Sequence, residues 1–394
     1  MSVAELAADT LEDLVQLRRA LHQTPELGLD LPRTQELVLT ALDGLPLEIS
    51  TGSSLSSVTA VLRGGGDGSR TVLLRGDMDA LPVVERTGLD FASRSANMHA
   101  CGHDLHTAML VGAARVLTAQ RADLPGDVVF MFQPGEEGHD GARHMVDEGV
   151  LDAAGRRADA ALALHVTSAM LPAGYFASRA GTIMSAADTL RVRVHGAGGH
   201  GSAPHRAKDP IPAACEMVTA LQTFVTRRFD VFDPVIITVG QFHAGTQDNV
   251  IPDDAYFEAT VRSFTPAAHE RLINEITQVC TGIGNAHGLE VDAVLDIAYP
   301  VTVNTAAQVD LAHQTVNEAF GPDRWISLPD PLSGSEDFSR VLDQVPGAMV
   351  FLGACVGDPE KAAFNHSPQA AFDDSVMANG VTVYADFALR ALAE

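Results

Sequence analysis

In TLRVRVHG, residues 189–196, Leu190, Val192 and Val194 alternate strictly with Arg191, Arg193 and His195. Side chains two apart share one face of an extended chain, so this pattern belongs to a strand with one face in the core and one in water. The pattern predicts a helix over 211–228, strands over 235–243 and 255–264, a helix over 267–287 and a strand near 289–297. That order, β-α-β-β-α-β, is a split ferredoxin-like unit of small-domain size.

Upstream of this unit the strands read differently. VTAVLRG (58–64), TVLLRGD (71–77), DVVFMFQ (127–133) and ADAALALHV (158–166) are almost continuously apolar, as strands covered on both faces are. Helical patterns lie between them at 33–43, 104–120 and 141–150, in βαβ fashion. After Tyr299-Pro300 the same alternation resumes, with AMVFLGA (348–354) as a strand and 375–393 as a closing helix. The expected architecture is α/β: a mixed-sheet catalytic domain (1–187 and 300–394) with an inserted ferredoxin-like α+β satellite (188–299).

Composition narrows the class. The chain has 394 residues, a formal net charge of −25, and lysine only at 208 and 361. Such an acidic surface argues against nucleic-acid or anionic-membrane partners, and no apolar run is long enough for a membrane span. The four cysteines, Cys101, Cys215, Cys280 and Cys355, form no CxxC pair. The N-terminus reads as an acidic helix and not as a signal peptide, so a reduced, cytoplasmic setting is expected.

Chemistry-bearing residues gather just past the predicted strands, where loops of open α/β sheets converge on a crevice. RGDMDALP (75–82) carries Asp77 and Asp79, which can face one site as ligand and histidine orienter, or can simply serve the turn before Pro82. MHACGHDLHTAM (98–109) sets His99, Cys101, His103, Asp104 and His106 in a Gly-containing turn before a helix, and Cys101 and His103 are the stronger metal-ligand candidates. FQPGEEG (132–138) delivers Glu136 and Glu137. Adjacent carboxylates repel unless a cation, a proton or solvent relieves them, and spacing does not say which would bind metal and which would move protons. His165 ends its strand in the same way, and His366 lies in FNHSP before the closing helix. GAGGHG (196–201) has the letters of a dinucleotide loop, but SAPHRAKDP delays the following helix, so it is not read as one.

With these motifs in place, the chain resembles the aminoacylase–carboxypeptidase superfamily of metallopeptidases. The resemblance is to its amidohydrolase branch of hippurate hydrolases, auxin-conjugate hydrolases and bacterial N-acyl-amino-acid hydrolases. It begins at RRALHQTPELG (18–28) and runs on through GGHGSAPH (198–205), DNVIPDDA (248–255), TVRSF (260–264), SGSEDFS (333–339) and NHSP (365–368). It implies two divalent ions per subunit, zinc or manganese, held by Cys101, His103, Glu137, His165 and His366. Glu136 would be the general base for a metal-activated water, and Asp79 an orienting residue. His200 would stabilise the tetrahedral intermediate at an active site, in dimeric relatives the partner's. Asn249 and Arg262 would hold the substrate carboxylate. The implied activity is hydrolysis of N-acyl amino acids to a carboxylic acid and an amino acid, in a homodimer joined through the satellite domain. A dipeptidase or carboxypeptidase with the same centre is the alternative, and a non-catalytic metal-stabilised binding protein a third reading. Departures from the family pattern are His139-Asp140 after GluGluGly, the spacing within NHSPQAAFDD, and Asn365 where an apolar residue is commoner.

Overall fold

The computed structural model describes residues 1–66 and 70–393, which divide into two compact units. The first comprises Met1–Ile183, Val303–Asp330 and Asp337–Glu394. It is built on an eight-stranded sheet in the order Leu47–Thr51, Val58–Leu62, Asp127–Gln133, Thr71–Asp77, Ala160–Thr167, Gly347–Gly353, Phe176–Ser178, Trp325–Ser327. The four central strands run parallel, while Leu47–Thr51 and Val58–Leu62 form an antiparallel edge. The sheet is therefore mixed. Every residue of Thr71–Asp77, Asp127–Gln133 and Gly347–Gly353 is buried, which is why these segments are apolar without alternation.

Helices Val3–Gln23, His103–Ala119, Met377–Ala393 and Ala306–Phe320 supply the covering layers, and their apolar residues join the strands in one core. The Tyr384 hydroxyl accepts a bond from Leu164 N–H and donates to the Arg75 carbonyl, fastening the closing helix to two strands. Because the central strands are parallel, Thr71–Asp77, Asp127–Gln133 and Ala160–Thr167 end on one edge of the sheet. That edge receives Asp77 to Asp79, Glu136 to Glu137, and His165.

The second unit comprises Met184–Thr302 and Pro331–Glu336. Its four-stranded sheet runs in the order Val235–Ala244, Asp254–Ser263, Ala186–His195, Glu290–Tyr299, antiparallel throughout. Helices Pro210–Arg228 and Pro266–His287 pack on one face against Leu190, Val192 and Val194. Arg191 and Arg193 point to water and pair with Glu258 and Asp254. The β-α-β-β-α-β order matches the ferredoxin-like expectation. Helix Pro210–Arg228 opens only after Asp209 caps Ile211 N–H, so GAGGHG does not lead into a helix as a dinucleotide loop would. Among the described residues, no helix is long and apolar enough to cross a membrane.

Candidate metal centre

Residue 102 allows the Cys101 turn. Gly102 has φ +84°, and a Cβ there would lie 2.3 Å from Val166 Cγ2, so only glycine lets the turn press against the end of the Ala160–Thr167 strand. The helix that follows starts at His103, placing Cys101 and His103 at its entrance.

The ligand-type atoms of Cys101, His103 and His165 lie within 4.8 Å of one another, as do those of Cys101, Glu137 and His366. These two triads share the Cys101 sulfur. His103 also groups with Glu136 and Glu137. His366 Nε2 stands 3.3 Å from Cys101 Sγ and 3.1 Å from Glu137 Oε1, and His165 Nε2 stands 3.5 Å from the same sulfur. His165 Nδ1 donates to the Val166 carbonyl at 2.9 Å, which fixes the ring with Nε2 turned to the sulfur.

A metal fits this donor set. Among the described residues, both ring nitrogens of the fully buried His103 lack a hydrogen bond of ordinary geometry, although carboxylate oxygens of Asp77 and Asp79 lie at 3.7 and 3.5 Å. Thiolate, imidazole and carboxylate together suit a borderline transition ion. The electrostatics agree. Burial opposes ionisation of Cys101, but His165, His103 and His366 overcome it and hold the thiol well below its usual pKa. His366 is pushed up to about 10, chiefly by its bond to Cys101 and then by Glu137. Burial, then the Cys101 charge, raises Glu137.

The two aspartates divide their work. Asp79 accepts Glu136 N–H and Glu137 N–H, each at 3.0 Å, one on each oxygen, so it aims the glutamate turn. Asp77 is spoken for by Arg75 and His106; despite burial, Arg75, His103 and His106 hold it well below the usual carboxylate range. His106 then accepts Val166 N–H on Nε2 at 2.7 Å, linking two strand ends. Its spacing of three from His103 on a helix was the available signal for a shared face. Asp337, in SGSEDFS, accepts from Arg75, Gln133 and Ala142 N–H. His139 is exposed and lies against Gly28, and Asp140 pairs with Arg340 at 2.8 Å.

His200, Asn249 and Arg262 belong to the other unit. His200 and Asn249 are neighbours: Gly199–His200 pairs with Val250–Ile251, and Gly201 N–H donates to the Asn249 carbonyl. His200 Nδ1 accepts Ser202 N–H at 3.1 Å, which leaves its proton on the exposed Nε2. Arg262 sits near the far end of Asp254–Ser263, half-buried, with Nη1 lacking a partner among the described residues. Gly198 N–H, beside His200, bonds Asp253 at the start of that strand. Arg262 is thus about 25 Å from the His200 loop at ~3.3 Å per residue.

Comparison with known proteins places this geometry in context. The model of Peptidase family M20/M25/M40 matches residues 73–390. Thermostable carboxypeptidase 1 of Saccharolobus solfataricus is 36% identical over 389 residues, 96% of each chain. Hippurate hydrolase of Campylobacter jejuni is 34% identical over 388 residues, 98% of each chain. Among solved structures, the YXEP protein of Bacillus subtilis, described as a dinuclear metal binding peptidase, superposes with a TM-score of 0.84 at 29% identity, over 98% of this chain and 99% of that one.

Proposed function

Since the chain belongs to peptidase family M20/M25/M40 and is accordingly a metal-dependent amide hydrolase, we propose that its substrates are N-acyl amino acids, cleaved to a carboxylic acid and an amino acid. The observation that carries this reading is the pair of triads sharing Cys101, with Glu136 beside them. In it, Cys101, His103, Glu137, His165 and His366 would hold two divalent ions, zinc or manganese. Bound ions would polarise the scissile carbonyl and acidify water at neutral pH. Glu136 takes the proton from the attacking water as the C–O bond forms, and returns it to the departing nitrogen as the tetrahedral intermediate collapses and the C–N bond breaks. Glu137 shares a triad with the thiolate and Glu136 does not, which favours this division of the two glutamates. His200, with its Nε2–H outward, donates to the tetrahedral oxyanion, worth roughly 3–4 kcal/mol for one well-placed donor. Arg262 and Asn249 grip the α-carboxylate.

The same reading takes residues 1–187 and 300–394 as the catalytic domain and 188–299 as the satellite, in a cytoplasmic homodimer. The separation of Arg262 from the His200 loop supports a second copy's involvement, since one chain's satellite unit does not gather all three residues in one place.

A second reading, a carboxypeptidase, is favoured by the similarity to the Saccharolobus protein of that name. Both substrate classes end in a free carboxylate, so Arg262 serves either. A screen of N-acetyl, N-benzoyl and indolyl-acyl amino acids beside blocked and free dipeptides, with metal content measured on the same preparation, separates them. Turnover of the N-acyl amino acids well above the peptides is expected; peptides consistently preferred, or full activity with no bound metal, would sink the proposal.

A further inference from the structure

Asn365 departs from the apolar residue commoner before the last histidine of this motif, and the chemistry above gives it no task. Its side chain nevertheless makes directed contacts to three residues of the site. Nδ2 donates to the Val166 carbonyl at 3.0 Å and the Cys101 carbonyl at 3.2 Å, and lies 3.8 Å from Cys101 Sγ. Oδ1 accepts Ser168 N–H and the Ser168 hydroxyl, both at 2.9 Å. The partners fix the amide's orientation: Ser168 N–H can only donate and the two carbonyls can only accept.

The next residue, His366, has φ +70°, one of three non-glycine residues in the left-handed region among those described. Such a backbone persists where its surroundings over-determine it, and it clusters at functional sites. Here His366 N–H donates to the Ala100 carbonyl at 2.8 Å, and Asn365 binds Cys101, Val166 and Ser168. The Val166 carbonyl that Asn365 grips is the one that orients the His165 ring. One amide thus joins the Cys101 turn, the His165 strand end and the His366 turn. A leucine has the same number of side-chain heavy atoms but could join none of them.

We propose that Asn365 is a positioning residue for the dimetal centre: it locks the main chain beneath Cys101, His165 and His366 into one piece, so that their donor atoms meet before an ion arrives, and its N–H leans on the thiolate. Preorganisation of this kind lowers the cost of binding, and a donor near a ligating sulfur withdraws charge from it. The inference rests on the metal-site reading, so its test must separate the two.

Wild type, Cys101→Ser, Asn365→Leu and Asn365→Asp are compared after cobalt(II) substitution. The readouts are the near-ultraviolet thiolate-to-cobalt absorption, cobalt affinity by chelator competition, and thermal unfolding of the metal-free forms. Wild type should show the thiolate band and Cys101→Ser should lose it. Both Asn365 variants should bind at least one cobalt equivalent about 10–100-fold more weakly, with the band shifted or diminished at full loading. Asn365→Asp keeps the volume and the Ser168 bonds, and it decides the matter should the leucine variant not fold. Wild-type affinity and an unshifted band in the Asn365 variants, even with a lower unfolding temperature, would overturn the inference alone. A band that survives Cys101→Ser, or is missing from wild type, overturns the metal-site reading and the inference with it.

Discussion

Glu136 and Glu137 are chemically identical neighbours, and what distinguishes them is which atoms each can reach. The Asp79 carboxylate pins both backbone N–H groups, so a substitution of either side chain should leave the turn in place. Glu136→Gln keeps shape and hydrogen bonding but cannot shuttle a proton. Hydrolysis should fall by about 10²–10⁴-fold with bound metal unchanged; turnover near wild type with metal retained would remove Glu136 from the mechanism. Gly102 offers a different test. Gly102→Ala would need a left-handed alanine and drive its Cβ into Val166, so thermal or denaturant unfolding should show a loss of about 1–3 kcal/mol, with lowered metal content. A fully stable, fully metallated Gly102→Ala protein would mean that the turn has slack.

At this scale the sequence was informative about residue types and less so about partners. Cys101 and His103 stood out because a thiol and three imidazoles crowd one Gly-containing turn, His165 because it ends a strand, and His366 through the family motif. Asn365 and His106 did not acquire roles, since what they do depends on carbonyls and N–H groups of Val166 and Ser168 brought in by the fold. Which glutamate joins the thiolate was undecidable from spacing for the same reason.

Elements show a parallel contrast. The buried central strands announced themselves by continuous apolar runs. Leu47–Thr51 was missed because it is an exposed edge with no burial pattern to read, and Phe176–Ser178 and Trp325–Ser327 are too short to carry one. Helix Ala306–Phe320 also went unread: its inner face includes small and polar residues such as Ala312, Gln308 and Thr315, which blunt the apolar stripe. The N-terminal helix Val3–Gln23, read from its acidic start, begins with a capping box between Ser2 and Glu5. It is clamped to the helix bearing His103 by a buried cluster. Arg18 Nε lies 2.7 Å and His22 Nδ1 2.8 Å from the Asp104 carboxylate, and Glu85 faces the other His22 nitrogen at 3.2 Å.

Burial disfavours the His22 charge, yet Asp104 and Glu85 more than restore it and push its pKa up from 6.5 to about 9. Because the folded value is the higher one, this stabilisation is fully present below pH 6.5 and is lost as pH rises through about 9. Its size is about 3 kcal/mol, at ~1.4 kcal/mol per tenfold change in proton affinity. Urea unfolding of the metal-free protein should therefore weaken between those pH values, and His22→Gln should flatten that slope. An equal slope in the variant would place the effect elsewhere.

For the whole molecule, the proposed partnership between copies makes its own demand. Glu136→Gln and His200→Ala chains, each inactive, should regain up to about a quarter of wild-type activity when mixed and allowed to exchange, because a mixed pair carries one intact combination of Glu136 and His200. No recovery despite demonstrated exchange would assign His200 to its own chain's centre. The inserted satellite was legible at this scale because TLRVRVHG alternates amid neighbours that do not; the inclusion of Pro331–Glu336 in its compact unit was not, since nothing in that short segment marks its company.

The strand Asp254–Ser263 keeps Arg262 and the His200 loop at opposite ends, and that spacing has a kinetic meaning. Under the proposed pairing, an active site completed by another copy exists only while the copies are together, so catalytic output per milligram becomes a measure of association. Diluted below the dissociation constant of the pair, the protein should lose specific activity in step with concentration, and a saturating carboxylate ligand that bridges Arg262 and Asn249 should restore it by holding the copies together.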